Sequence, residues 1–201
     1  MRFGKLFSIA AIALAFATSA NAELAGMADQ DAKASDASSS HWSGLIGISG
    51  GNSLIARDGT IFMSVRIGVQ WNDFIANGAW ATLLLSDVQN PNVKGQEVID
   101  YNAFGLFAEL FPLRFNEFSI SVPIQVGGGV VNVIEKGDEA FSPEEYFFTG
   151  DMAVHFNYRL TKMLEVSIGG GYRMFAGIDE NNLDDMDFCT PFGELRFTFK
   201  E

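Results

Sequence analysis

Residues Thr60 to Trp71, TIFMSVRIGVQW, alternate without a break. Ile61, Met63, Val65, Ile67, Val69 and Trp71 fall on one side of an extended chain, and Thr60, Phe62, Ser64, Arg66, Gly68 and Gln70 on the other. A helix would scatter this pattern around its circumference, so the segment reads as a β-strand lying between two different media. One face is wholly apolar and the other carries an arginine at its middle. Which face meets which medium separates a soluble binding barrel from a membrane barrel.

The same period of two returns along the chain. Phe118, Ile120, Val122, Ile124 and Val126 oppose Glu117, Ser119, Ser121, Pro123 and Gln125. Phe148, Met152, Val154, Phe156 and Tyr158 oppose Thr149, Asp151, His155 and Asn157. Leu164, Val166, Ile168 and Tyr172 oppose Glu165, Ser167, Gly169 and Arg173, and Leu195, Phe197 and Phe199 oppose Glu194, Arg196 and Lys200. Less regular segments at Trp42–Ala56, Ile75–Leu85 and Ile99–Phe111 complete a set of about eight strands, each roughly as long as the 9–11 residues a tilted membrane strand needs.

The connections also alternate. Asn72-Asp73, PLRFN and RLTK are short; SDVQNPNVKGQE, EKGDEAFSPEE and AGIDENNLDDMDF are long; Arg57-Asp58-Gly59 is a tight hairpin signal at the long-loop end. In an up-and-down meander this puts the long loops at one rim and the other short turns at the opposite rim, as in outer-membrane barrels. Trp71, Phe111, Phe118, Phe156, Tyr158, Phe197 and Phe199 lie toward the short-turn rim and read as an interfacial aromatic girdle. The polar face is mostly Gly, Ser, Ala and Thr with few charges, which suits a crowded interior better than a water-facing surface. Arg66, Arg173 and Arg196 share that face with Glu109, Asp151, Glu165 and Glu194, so the charges can neutralise one another inside. The expected fold is an antiparallel up-and-down transmembrane β-barrel with a filled lumen. Pro123 calls for a bulge, and the triplets at Gly127–Gly129 and Gly169–Gly171 permit sharp bending of the wall.

Residues 1–22 read as a Sec signal peptide: Arg2 and Lys5, an apolar run from Leu6 to Ala17, then Ala20-Asn21-Ala22. Residues 23–41 read as a flexible leader and 42–201 as the barrel domain. Removing the signal takes two of 13 bases and leaves 11 against 25 acids, a net charge of −14, which excludes nucleic acid as a partner attracted by the overall field. Cys189 is the only cysteine, so no internal disulfide can form.

Gly171-Tyr172-Arg173, Gly177 and the alternating strand Leu195–Phe199 resemble segments of small outer-membrane β-barrel proteins of Gram-negative bacteria. The resemblance covers about Trp42 to Glu201. It implies outer-membrane residence with periplasmic termini, contact with outer-membrane lipid and lipopolysaccharide, and handling by the barrel-assembly machinery, which reads an aromatic C-terminal strand. The chain departs from that pattern in ending Phe199-Lys200-Glu201.

Two sites compete with purely structural readings. His155, with Ser167 and Asp151, is the candidate set for a lipid A-modifying hydrolase or acyltransferase, against a structural lumen histidine. Asp179, Glu180, Asp184, Asp185 and Asp187 are oxygen ligands in number, against a solvated acidic loop without EF-hand spacing. No phosphate loop, nucleophile elbow or zinc-ligand spacing occurs, and no cofactor is expected. The favoured function is a structural or surface-interaction barrel whose extracellular partner the sequence does not name. A soluble periplasmic lipocalin-like carrier is the further alternative.

Overall fold

The computed structural model describes residues 42–56, 58–86, 88–89, 97–135, 145–180 and 183–201. The expected signal peptide and leader lie outside them, as do Lys94, Lys136, Asp138, Glu139, Glu144, Asn181 and Asn182 of the long loops. The wall consists of β1 (Trp42–Ile55), β2 (Asp58–Trp71), β3 (Ile75–Leu84), β5 (Glu97–Phe115), β6 (Phe118–Glu135), β7 (Glu145–Arg159), β8 (Leu164–Ala176) and β11 (Thr190–Lys200). A short β4 (Val88–Gln89) continues the β3 side against β5 above the main wall. The last loop contains a small ladder, β9 (Asp179–Glu180) with β10 (Leu183–Asp184), and a single helical turn, α1 (Asp185–Phe188).

Every wall strand pairs antiparallel with its neighbour, β11 pairs with β1, and β3 pairs with β5, so the sheet closes as an eight-stranded barrel. Paired positions can be followed once round from Asn157 through Ser167, Arg196, Ser49, Ser64, Thr82, Ala103 and Gly129. The path returns to β7 at Phe147, a stagger of ten residues. Such a stagger tilts the strands and leaves an interior only wide enough for side chains. The reversals after β2, β5 and β7 are short and share a rim with Trp42 and Lys200. Asn72, Asp73 and Asn116 sit in left-handed conformations there (φ 47°, 58° and 52°), which asparagine and aspartate tolerate best after glycine.

The faces settle the opening alternative. Outward side chains of the wall are large and apolar, among them Ile61, Phe104, Leu106, Val126, Ile168 and Phe199, each more than half exposed. Inward positions carry Arg66, Glu109, Asp151, Arg173, Glu194 and Arg196, all buried. A soluble carrier needs the reverse arrangement. Water would not wet this exterior without large cost, whereas acyl chains match it.

Four local expectations need correction. The reversal after β1 begins at Ala56 (φ 49°), because Ile55 already pairs with Asp58, and Asp58 and Gly59 are strand. Tertiary contact overrides the local turn signal: Ala56 N donates to Asp187 O at 2.7 Å. Pro112 to Phe115 of PLRFN are strand, with β5 running on to Phe115 and only Asn116 left to the turn. The bulge expected at Pro123 falls on the facing strand, between Leu110 and Leu113, while the β6–β7 ladder skips Val122 and Pro123. That skip accommodates a residue with no N–H to donate. Phe111 continues the inward row of Phe107 and Glu109, and so falls out of the expected girdle. Both glycine triplets lie in unbroken strand, and among the described glycines only Gly177 has positive φ.

Candidate functional site: the lumen and its two rims

The lumen is stacked in tiers. Near the short-turn rim, Lys200 Nζ donates to Glu165 Oε2 at 2.8 Å and lies 5.3 Å from the centre of the Phe111 ring. Above it Arg66 and Arg196 share Glu109: Arg66 makes a close ion pair with Glu109 Oε2, and Arg196 Nη1 lies 3.4 Å from Oε1. Ser121 Oγ donates to Glu109 Oε1 at 2.6 Å, and Arg66 Nη2 donates to Thr198 Oγ1 at 3.1 Å. Arg196 also pairs closely with Glu194, whose Oε1 is 2.9 Å from His155 Nε2, although the N–H does not point squarely at it. Higher still, Arg173 grips Asp151 through Nε and Nη2 at 2.7–3.0 Å and donates from Nη1 to the Tyr101 hydroxyl at 2.8 Å. Its guanidinium is 4.9 Å from the Phe62 ring centre and 5.2 Å from that of Phe192. Buried charges are tolerable only when paired in this way.

The top tier is apolar. Tyr101, Phe147, Phe175 and Phe188 stack with ring centres 5.1–5.9 Å apart, and Ile55, Ile99, Ile178 and Val131 fill around them. The last loop holds Phe188 in place. Asp184 caps α1 by accepting from Met186 N and Asp187 N, Asp187 returns the bond to Asp184 N, and Asp185 Oδ1 accepts from Ile178 N at 2.8 Å. These three carboxylates are thus turned to backbone N–H groups rather than gathered around a common point. Asp179 and Glu180 take part through the backbone ladder to Leu183 and Asp184.

The structure brings Arg66, Glu109, Glu194 and Arg196 together, and pairs Arg173 with Asp151 separately. Glu165 meets Lys200, a base that shares its face with Arg196 and Thr198 and was readable from that alternation. The candidate catalytic set divides: Asp151 is committed to Arg173, and His155 faces Glu194, a carboxylate absent from the proposed trio. Ser167 Oγ has no partner among the described residues.

His155 owes its place to Gly169. A Cβ on Gly169 would lie 1.9 Å from His155 Cδ2 and 2.4 Å from Val154 O. Gly169→Ala is therefore expected to destabilise the barrel by about 1–3 kcal/mol through overpacking. Adding His155→Ala relieves the ring clash but not the carbonyl clash, so only part of the loss returns; unfolding midpoints in detergent read both.

On the outside, Trp71, Phe118, Phe156, Tyr158, Phe197 and Phe199 all point away from the lumen in the short-turn half. Trp71 stands 6.3 Å from Trp42, and Phe118 4.7 Å from Tyr158. At the same rim Asp73 Oδ2 accepts the charge of Arg114 at 2.9 Å and of Arg159 at 3.5 Å. Partial burial pushes the Asp73 carboxyl up, but the two guanidiniums outweigh it and hold it below the usual carboxylate range. A lowered folded-state pKa contributes stability that is present above the unfolded value and lost as pH falls through the folded one. Asp73→Asn is expected to lower the unfolding midpoint slightly at neutral pH, and to match the parent once acid has protonated Asp73.

Comparison with solved structures places this geometry. Neisserial surface protein A (NspA) superposes with a TM-score of 0.51 at 11% identity, covering 81% of this chain and 98% of that one. The N-terminal β-barrel domain of Pseudomonas aeruginosa OprF superposes with 0.53 at 9% identity, covering 78% and 97%. The fold is that of the small outer-membrane barrels. No family model matches the sequence, and no curated protein does. At such identities the likeness speaks for the shared barrel architecture alone.

Proposed function

We propose that the mature chain is an outer-membrane barrel with a structural or surface-interaction role, its long acidic loops outward and its short turns and both ends of the barrel in the periplasm. The carrying observation is the filled lumen: three ionic tiers beneath an aromatic stopper occupy the interior and bury His155 completely. What remains for interaction is the exterior. The apolar belt fits lipid, and the outward aromatics fit the headgroup boundary at the periplasmic side. The loop rim, rich in Asp and Glu, meets lipopolysaccharide and whatever lies beyond the cell. Removal of residues 1–22 during Sec export, a flexible 23–41 leader and recognition of Phe197 and Phe199 by the barrel-assembly machinery belong to the same reading. A lipid A-modifying enzyme would need His155, Ser167 and Asp151 to converge on a reachable point, and their separate commitments favour a structural histidine.

Membrane fractionation followed by protease treatment of intact cells tests the proposal. The expected result is recovery with the outer membrane and cleavage at the loops around Lys94 or Lys136. Recovery of the folded protein in the soluble periplasm overturns it. Altered lipid A in cells carrying His155→Asn would restore the enzyme reading; unchanged lipid A is expected.

A further inference from the structure

Three buried polar atoms on neighbouring lumen positions have no hydrogen-bond partner among the described residues: His155 Nδ1, Asn157 Oδ1 and Ser167 Oγ. Their residues are at most 2% exposed. Buried polar atoms are rarely left unpaired, because nothing repays the hydration they lose. Asn157 and Ser167 are direct cross-strand partners, and His155 is the next inward residue along β7. Such neighbours are roughly 5 Å apart across the pair and about 6–7 Å along the strand, spans that one small bridging molecule covers.

The hydrogen-bonding capacities narrow the choice. Glu194, beside Nε2, can only accept, so a neutral imidazole keeps its proton on Nε2 and presents Nδ1 as an acceptor. Asn157 Nδ2 donates to Ser119 Oγ at 3.2 Å and Ser121 Oγ at 3.0 Å, and Ser121 spends its own proton on Glu109. The amide orientation is thereby fixed, with Oδ1 an acceptor. Ser167 Oγ has a proton to give. Two acceptors and one donor call for a ligand with two donors and one lone pair.

We infer that one water molecule is a built-in part of this lumen, donating to His155 Nδ1 and Asn157 Oδ1 and accepting from Ser167 Oγ. An ammonium ion could donate to the same atoms, but it would add a charge where Arg66 and Arg196 already balance Glu109 and Glu194. The water joins the hydrogen-bonded run of Glu109, Ser121 and Asn157 to His155, whose Nε2 lies 2.9 Å from Glu194, itself ion-paired with Arg196. Four strands, β5, β6, β7 and β11, are then tied across the interior as well as along the wall. The ionic side of the lumen is joined to its hydroxyl-rich side.

The test uses the purified mature protein in detergent. A high-resolution crystal structure is expected to show a peak within hydrogen-bond distance of all three atoms. Imidazole nitrogen NMR is expected to report a protonated Nε2 and a hydrogen-bonded, unprotonated Nδ1 for His155. Ser167→Val, whose methyl groups displace the water, is expected to lose the peak and shift the Nδ1 signal to that of a free acceptor. Ser167→Ala, the milder change, is expected to keep the peak with two partners. A direct bond from His155 Nδ1 to Asn157 or Ser167 with no density between them overturns the inference. Occupancy that tracks added ammonium overturns it too.

Discussion

Arg196→Met is expected to cost about 3–5 kcal/mol, enough to abolish a stable barrel or lower its urea midpoint severely. Arg196 is 1% exposed and, among the described residues, is the only cation paired with both Glu109 and Glu194. Methionine fills much of the same volume, so the loss is electrostatic: Glu109 keeps Arg66, but Glu194 loses its paired guanidinium and keeps His155 and Ser49. Arg196→Met combined with Glu194→Met removes a cation and an anion together, and is expected to recover much of the stability. Heat-modified gel mobility and denaturant unfolding in lipid vesicles read the series. An Arg196→Met barrel with an unchanged midpoint would mean that the ionic tiers do not hold the interior together.

Ile168→Arg is expected to destabilise the barrel by about 2–4 kcal/mol in a bilayer, the usual penalty for a basic residue facing lipid near the midplane. Ile168 is 64% exposed, is the fifth of the thirteen residues of β8, and pairs with Phe156 and Leu195 on the same outer face. On a soluble barrel an arginine at so exposed a position would be nearly neutral. The substitution therefore reads the surrounding medium directly. Folding titrations into vesicles check it, and a midpoint equal to the parent's would remove the argument for a lipid-facing exterior.

How much could be read in advance depended on how local the cause was. Strand existence, face assignment and the alternation of short and long connections rest on period-two patterning, and β2, β7, β8 and β11 carried it cleanly. Closure into eight strands followed, because each strand has two neighbours and the connections are meander-like. Pairing inside the lumen was legible as a set and not as partners. Which base meets which acid depends on the ten-residue stagger, a property of the whole cylinder. Glu194 therefore went unmatched to His155, and Glu165 to Lys200. The bulge was expected where the proline is but sits on the strand opposite, since a ladder can absorb a missing donor from either side. The aromatic stopper was missed for a plainer reason. Tyr101, Phe147 and Phe175 continue the inward rows of β5, β7 and β8, but aromatic residues in a membrane strand suggest lipid until the facing residue is known.

The β1–β11 seam has a consequence for how the polypeptide can be cut. Glu201 N donates to Gly44 O at 3.0 Å, so the two ends of the cylinder meet at one rim. A circularly permuted gene, with residues 42 and 201 bridged by a few glycines and new ends opened between Asn116 and Glu117, would preserve every rung of the ladder. Such a rearranged chain would present a different strand last to whatever inserts it, separating the requirements of insertion from those of the finished cylinder.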